Sequence, residues 1–131
     1  MTPDDEAKVR ALATRLFDAV SRGDMDAIAD CYADDAVIWH NFDGVEKTKA
    51  QVLKSLTAMH MRIADKAYRD RRVNGCEGGF VQQHVLHGTR AGDGKRLAMA
   101  AAIVCQVRNG RITLFDEYLD SKAVAEFRKA F

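Results

Sequence analysis

Apolar residues recur at the spacing of an amphipathic helix in three stretches of the first half of the chain. The first stretch begins after Thr2, a good N-cap residue, and ends at Gly23, which suits the left-handed position that closes a helix. Asp24 caps a second, shorter helix, and a capping box at Thr48 begins a third that reaches about Ile63. The apolar stripes of these predicted helices are Val9, Leu12, Ala13, Leu16, Phe17 and Val20, then Met25, Ile28, Ala29 and Tyr32, then Val52, Leu53, Leu56, Met59 and Ile63.

Other segments have the composition of β-strands. Residues 36–40 form a short run of β-forming residues, and residues 80–89 form a longer one. The polar run 66–74 predicts a strand at the edge of a sheet, where charged side chains protect against aggregation. Residues 97–120 predict a long hairpin, because the Asn-Gly pair in their middle tolerates the positive φ of a tight turn.

A two-residue turn would pair Arg108 with Arg111 and fix the register of the hairpin by counting back. One face then pairs Val104 with Phe115, Ala102 with Glu117, and Ala100 with Leu119. The other face pairs Cys105 with Leu114, Ile103 with Asp116, and Ala101 with Tyr118. The carboxylate of Glu117 would thus lie beside two alanines, which fits either the floor of a pocket or a close helix contact.

The end of the chain predicts a last helix, capped by Ser121 and carrying Val124, Phe127 and Phe131 on its apolar side. The order of elements is therefore three helices with one early strand, followed by a run of antiparallel strands. This order indicates the α+β class. Since no repeat or linker interrupts the sequence, we expect a single domain over residues 1–131.

Composition and charge exclude several classes of function. The net charge of +1, with acids and bases interspersed, gives no basic footprint, so we expect no nucleic-acid partner. No apolar run approaches the roughly 18 residues of a membrane span, so we expect no membrane partner. The N-terminus lacks the apolar core of a secretory signal, and Cys31, Cys76 and Cys105 are odd in number and widely spaced, which favours reduced thiols in a cytoplasmic protein. Metal-ligating residues are not clustered, so we expect no metal.

Residues 23–36, Gly-Asp-Met-Asp-Ala-Ile-Ala-Asp-Cys-Tyr-Ala-Asp-Asp-Ala, resemble the nuclear transport factor 2-like superfamily, which includes ketosteroid isomerases, limonene epoxide hydrolases and SnoaL-like polyketide cyclases. The run Asn-Gly-Arg-Ile-Thr, followed by Asp-Glu-Tyr-Leu-Asp, is similar to the closing hairpin of the epoxide hydrolases. The resemblance implies a SnoaL-like domain. Its curved antiparallel sheet would wrap over the N-terminal helices and enclose a cone-shaped, cystatin-like cavity.

The resemblance also assigns roles to particular positions. His40 falls where the steroid isomerases carry a general-base aspartate and the epoxide hydrolases a water-holding asparagine. Glu117 and His84 fall on the two catalytic aspartates of the epoxide hydrolases, and Gln82 falls on the arginine between them. Leu16 stands where the isomerases place an oxyanion-binding tyrosine. Neither catalytic set is complete in this chain.

His84 and Glu117 form the sharpest candidate pair, because both are expected on the same face of the sheet. A carboxylate beside an imidazole can orient it and make it a general base. His40 is a third catalytic candidate, as a base, a ligand donor or a capped structural residue, although a one-residue slip would exchange its role with Trp39 and Asn41. The residues predicted to bind the substrate are Leu16, Phe17, Val20, Ile38, Trp39, Gln82, Ala102, Val104, Phe115 and Leu119.

The outer face of the sheet is expected to be too apolar for water alone. Its predicted members are Val85, Ile103, Cys105, Leu114 and Tyr118. Such a face packs against a helix or pairs with another subunit, so we expect a homodimer through it.

Two functions fit these observations. The first is a cofactor-independent isomerase, cyclase or lyase, or hydrolase that uses His/Glu acid–base chemistry on a hydrophobic small molecule. The second is a ligand-binding or dimerisation module of the same fold, in which the polar pair sits at a cavity rim without turnover. An enzyme needs at least two titratable groups that converge on one spot.

Overall fold

A computed structural model describes residues 1–129 of the chain. Its elements are α1 (Pro3–Arg22), α2 (Met25–Cys31), β1 (Tyr32–His40), β2 (Glu46–Thr48), α3 (Lys49–Arg62), β3 (Ile63–Cys76), β4 (Gly79–Arg90), β5 (Arg96–Arg108), β6 (Arg111–Leu119) and α4 (Ser121–Arg128). The predicted α+β class is confirmed, and the short strand β2 is an addition that the sequence pattern did not indicate. Phe131, predicted for the last helix, lies outside the described residues.

The helix ends form where the sequence predicts them. Thr2 accepts a hydrogen bond from Asp5 N in a capping box, and Gly23 closes α1 in the left-handed conformation with φ of 72°. Asp24 caps α2 by accepting from Ala27 N, and Thr48 begins α3 with a second capping box. The last helix is a correction, because its N-cap is Asp120 and not Ser121.

The six strands form one curved, open and mostly antiparallel sheet in the order β2-β1-β6-β5-β4-β3. The predicted curved sheet over helices is confirmed. One pair departs from the expected antiparallel pattern, because β1 runs parallel to β6. No tight turn joins these two strands, since the rest of the sheet and α3 lie between them in the chain, so neither is forced to reverse direction.

Irregular pairing accompanies the bend of the sheet. The register between β3 and β4 shifts twice, once between Ala64 and Ala67 and once between Arg69 and Arg72. Asp65 and Asp70 sit in these shifts with positive φ of 54° and 56°. A bulge bends its strand and increases the local twist, so the long strand β3 curls around the helices instead of continuing flat.

A bulge also changes the register of the hairpin β5–β6. The turn at Asn109 and Gly110 is confirmed, with positive φ at both residues and Arg108 paired with Arg111. Beyond the turn, Val107 pairs with Ile112 but Gln106 pairs with Leu114, so Thr113 is an extra residue on β6. Every later pair is shifted by one residue relative to the predicted register.

The shift exchanges the two faces of β5. Glu117 pairs with Ile103 and not with Ala102, and Phe115 pairs with Cys105 and not with Val104. Ile103 and Cys105, expected on the outer face, are fully buried in the core. Ala102 and Val104, expected inside, therefore lie on the outer face.

The core lies between the helices and the concave face of the sheet. Its main cluster joins α1, α2 and the inward side chains of β1, β4, β5 and β6, and a second cluster joins Ile63, Leu86, Leu97 and Phe127. Within residues 1–129, no helix is both long and apolar enough to cross a membrane.

Candidate functional site

A cavity of about 370 Å³ opens between the helices and the concave face of the sheet. Leu16, Phe17 and Val20 on one face of α1 form part of its wall, as their helical spacing predicts. Ile38 and Phe115, paired across β1 and β6, contribute to the opposite wall. Most of the lining is therefore apolar, as is usual for small-molecule sites.

His40 and Glu117 are the polar pair of this cavity. They are directly paired residues of the parallel strands β1 and β6, and His40 Nε2 lies 3.1 Å from Glu117 Oε1. Both side chains are largely buried, with 18% and 15% of their surface exposed. When the imidazole is protonated, this contact is an ion pair that orients the carboxylate.

The remaining atoms of this pair differ in what they can do. His40 Nδ1 is buried and has no hydrogen-bond partner among the described residues. Within residues 1–129, no group donates to Glu117 Oε2, and the Glu117 side chain lines the cavity. The carboxylate thus contacts the imidazole through one oxygen and no described donor through the other, which suits a positioned base.

His84 points to the same side of the sheet but has a different partner. Its Nδ1 lies 2.9 Å from Nε2 of Gln82, a fully buried amide. An amide nitrogen only donates, so Nδ1 accepts and the neutral ring carries its proton on Nε2. Burial lowers the pKa of His84, the charge of Glu117 opposes this, and Arg71 adds to the lowering. His84 is thus a neutral hydrogen-bond donor that lines the cavity.

Tyr68 packs beside His84 in a small aromatic cluster. The ring centroids of Tyr68 and His84 are 4.7 Å apart, and both rings lie about 5 Å from Phe17. Burial raises the pKa of the Tyr68 phenol, and the charge of Glu117 raises it further. Tyr68 also lines the cavity, so a second neutral donor faces the same space.

Ten of the thirteen predicted site residues line the cavity or support a residue that does. Nine line the cavity, namely Leu16, Phe17, Val20, Ile38, His40, His84, Phe115, Glu117 and Leu119. Gln82 does not line it but holds His84. His84 and Glu117, the candidate pair expected on one face, both line the cavity, but each has another polar partner, Gln82 and His40 respectively.

The predicted inward positions of Trp39, Ala102 and Val104 are wrong. Val104 is 41% exposed, and the Thr113 bulge places Ala102 beside it on the outer face. Trp39 packs on the outer face against Tyr118, with ring centroids 5.4 Å apart. His40 takes the inward position, so its neighbour in the strand must point outward.

Sequence reasoning missed several polar residues of the cavity. Tyr68, Arg62 and Lys47 line it together with Tyr32 and Arg128. Tyr68 lies in a segment that the sequence shows only as a polar edge strand, and bulges decide which of its side chains point inward. Among the described residues, no group of three or more His, Cys, Asp or Glu side chains is placed to hold a metal ion.

The sequence matches one family model. Residues 13–115 match the model of the SnoaL-like domain. No curated protein sequence matches the chain.

Several solved structures share the fold. One is a candidate polyketide cyclase from Xanthomonas campestris pv. campestris, 22% identical, with a TM-score of 0.80 over 93% of this chain and 98% of that one. Another is a candidate isomerase from Bacillus subtilis, 16% identical, with a TM-score of 0.79 over 92% of this chain and 91% of that one. An LEH-like epoxide hydrolase from M. tuberculosis is 17% identical, with a TM-score of 0.75 over 94% of this chain and 90% of that one.

Proposed function

The chain belongs to the SnoaL-like domain family, and we propose that it is a cytoplasmic, cofactor-independent enzyme that performs general acid–base chemistry on a hydrophobic small molecule. The reaction that the site favours is removal of a proton from the carbon next to a carbonyl group. Such a step begins an isomerisation or a cyclisation, and similar structures include a candidate isomerase and a candidate polyketide cyclase.

The contact between His40 and Glu117 is the observation that carries this proposal. His40 Nε2 lies 3.1 Å from Glu117 Oε1, so Oε2 is the oxygen left to accept a proton from the substrate. Glu117 is then the base, and His40 is the residue that positions it. This reverses the usual division in which a carboxylate orients a histidine base, because the buried Nδ1 of His40 is not accessible to a substrate.

Two neutral donors can receive the charge that develops on the carbonyl oxygen. His84 presents Nε2–H, and Tyr68 presents its phenol, to the cavity that Glu117 lines. A fixed donor at a developing oxyanion is typically worth about 10²–10³ in rate. The neutral state of both groups suits this role, because burial disfavours the charged form of each.

The walls of the cavity define the general class of substrate. Apolar side chains from α1, α3, β1, β6 and α4 surround about 370 Å³, which accommodates a compact hydrophobic molecule. Inside such walls, the charge of Glu117 is poorly screened and acts on its neighbours. The pKa values of Tyr32, Tyr68 and His84 all respond to it.

Proton exchange in D₂O tests the proposal without knowledge of the natural substrate. A panel of cyclic ketones and β-diketones is incubated with the protein, and loss of the α-proton signal is followed by NMR. We expect the wild type to accelerate exchange for at least one ketone, and Glu117→Gln to reduce this rate by about 10²–10⁴. Glu46→Gln, which alters an exposed glutamate outside the cavity, should match the wild type.

The same experiment distinguishes the second candidate function. If ketones bind in the cavity but Glu117→Gln exchanges their protons as fast as the wild type, the acid–base proposal is wrong. Binding without accelerated exchange would instead favour a ligand-binding module of the same fold.

A further inference from the structure

Charged side chains around the cavity differ in how they are paired. Lys47 Nζ lies 2.6 Å from Asp43 Oδ2, and the guanidinium of Arg128 lies 5.4 Å from the centre of the Phe42 ring. Arg62 also lines the cavity, yet its Nε is buried without a hydrogen-bond partner. Within residues 1–129, no carboxylate or carbonyl accepts from this Nε.

Arg90 shows how this fold satisfies a buried guanidinium. Asp93 accepts from it through both oxygens, at 2.9 and 2.8 Å, and Glu126 accepts through its backbone carbonyl and its carboxylate, at 2.9 and 3.0 Å. Buried charged donors are normally satisfied in this way, because an unpaired one carries the full cost of its desolvation. The buried, unpartnered Nε of the half-buried Arg62 is therefore the exception that needs an explanation.

We propose that the cavity takes a hydrophobic molecule that carries a carboxylate, and that Arg62 binds this carboxylate. The planar guanidinium fork matches the two oxygens of a carboxylate and forms a pair of parallel, charge-assisted hydrogen bonds. The inference rests on the proposed function, because it assigns a substrate class to the same cavity.

The surroundings of Arg62 favour an anion with an apolar body. Ile63, the next residue, belongs to the apolar cluster that includes Leu86 and Phe127, and both of these side chains line the cavity. A molecule that occupies the cavity would thus place its apolar part on these walls and its charged group on the guanidinium. Poor solvation near the cluster strengthens the attraction between the two charges.

Glu117 gives the ligand an orientation. Glu117 pairs with Ile103, which in turn pairs with Gln82 near the start of β4. Ile63, the residue after Arg62, pairs with Arg90 at the end of β4. Glu117 and Arg62 therefore lie at different levels of that strand. The negative charge of Glu117 repels a carboxylate and the positive charge of Arg62 attracts one. The carboxylate is therefore held away from the base, and the other end of the molecule is directed towards it.

A matched pair of probes tests the proposal by binding alone. Isothermal titration calorimetry compares 2-naphthoate with 2-naphthamide, which has nearly the same shape but no charge. We expect the wild type to bind the carboxylate about tenfold more tightly than the amide, or better, since a charge-assisted pair exceeds a neutral one. Arg62→Met should remove this preference, and Arg62→Lys should retain part of it because it keeps the charge without the fork.

Arg111→Met is the matched control, because Arg111 is exposed at the hairpin turn and does not line the cavity. It should keep the preference of the wild type. Equal affinity of the wild type for both probes, no binding of 2-naphthoate, or an Arg62→Met protein that still prefers the carboxylate would overturn the proposal.

Glu117→Gln separates this inference from the proposed reaction. The variant lacks the base but keeps Arg62, so it should bind 2-naphthoate at least as tightly as the wild type, since the repelling charge is gone. A protein that shows the carboxylate preference but no proton exchange would leave Arg62 as a binding residue and would contradict only the acid–base function.

Discussion

His40 and Glu117 contact each other across the only parallel strand pair among the described residues, with Nε2 of the histidine 3.1 Å from Oε1 of the glutamate. They are direct register partners, so the backbone itself sets their separation. The neighbouring pair Ile38 and Phe115 is buried and packs in the core. A rigid, buried backbone on both sides therefore positions the carboxylate, which is what a catalytic geometry requires.

The first prediction concerns His40 as the residue that positions Glu117. His40→Ala removes the contact with Oε1 and should lower kcat about tenfold to a hundredfold, the size expected for a polar interaction with a charged group. The Michaelis constant should change little, because His40 acts on the base and not on substrate affinity. Steady-state kinetics on a ketone identified by proton exchange provide both values.

His40→Gln is the conservative control for this prediction, because its amide can still donate a hydrogen bond to the carboxylate. It should recover part of the lost kcat. A His40→Ala protein with unchanged kcat would show that the contact has no part in turnover.

The sequence was sufficient to predict every element except β2, and to predict which residues of one strand share a face. Alternation within one strand is a local property, so Phe115, Glu117 and Leu119 could be grouped correctly without any knowledge of their partners. The helix caps at Thr2 and Thr48 are equally local, because each joins residues three positions apart.

Pairing between strands could not be predicted in the same way. The bulge at Thr113 leaves no sign in the hairpin sequence, and its hydroxyl donates to Gln106 O at 3.3 Å only once the bulge exists. His84 was still expected on the correct face, because two register errors cancel. It pairs with Ala101 and not with Ala102, and Ala101 pairs with Leu119, which also lines the cavity.

Long-range placement also explains why the contact of His40 with Glu117 and the role of Arg62 were not predicted. The first depends on β1 lying parallel to β6, for which no turn residue provides a signal. The second depends on the junction at which α3 ends and β3 begins, with Arg62 O accepting from Ala91 N of a distant turn. Both are products of the completed fold.

The second prediction concerns the pH dependence of stability that His84 causes. Burial lowers its pKa below the usual 6.5, so between these two values the unfolded chain binds more protons than the folded one. This contribution to the free energy of unfolding is complete above pH 6.5 and is lost as the pH falls towards the lowered pKa. Chemical denaturation at a series of pH values should show the decline.

His84→Gln removes the titrating group and should flatten this part of the profile. His87→Gln alters another histidine of β4, one with the opposite strand parity, and should leave the decline in place. The assignment to His84 would be contradicted by a His84→Gln protein that loses stability below pH 6.5 as steeply as the wild type.

The third prediction concerns assembly, and we propose that two copies pair through the outer face of the sheet. Tyr118 and Val104 are 48% and 41% exposed there, and Trp39 packs beside Tyr118. Ala100 and Ala102 leave a groove next to Tyr118. Tyr118→Glu should therefore convert a dimer into a monomer, as measured by light scattering at micromolar concentration.

Met61→Glu is the control for the assembly, because Met61 is 78% exposed on α3 and lies away from this face. It should remain dimeric. A wild-type protein that is monomeric at micromolar concentration would exclude this interface.

The last prediction concerns the acid stability of the ion pair that fastens α4 to the sheet. Arg90 holds Asp93 through two hydrogen bonds and Glu126 of α4 through two more. The hydrogen bonds from Arg90 lower the pKa of Asp93 from the usual 3.8 to about 2. Val124 and Phe127 of the same helix line the cavity, so this pair also keeps one wall of the cavity in place.

A carboxyl group whose pKa is lower in the folded than in the unfolded state stabilises the fold when it is ionised. Its contribution is present above pH 3.8 and is lost as the pH falls through about 2. Asp93→Asn should therefore lower the free energy of unfolding at pH 7 and flatten its decline in acid, as measured by urea denaturation. Asp35→Asn, which breaks an exposed pair with Arg108, should cost only about 0–1 kcal/mol, the usual value for a surface ion pair. If both variants lose the same small amount at pH 7 and decline in acid as the wild type does, the hydrogen bonds between Arg90 and Asp93 do not stabilise the fold.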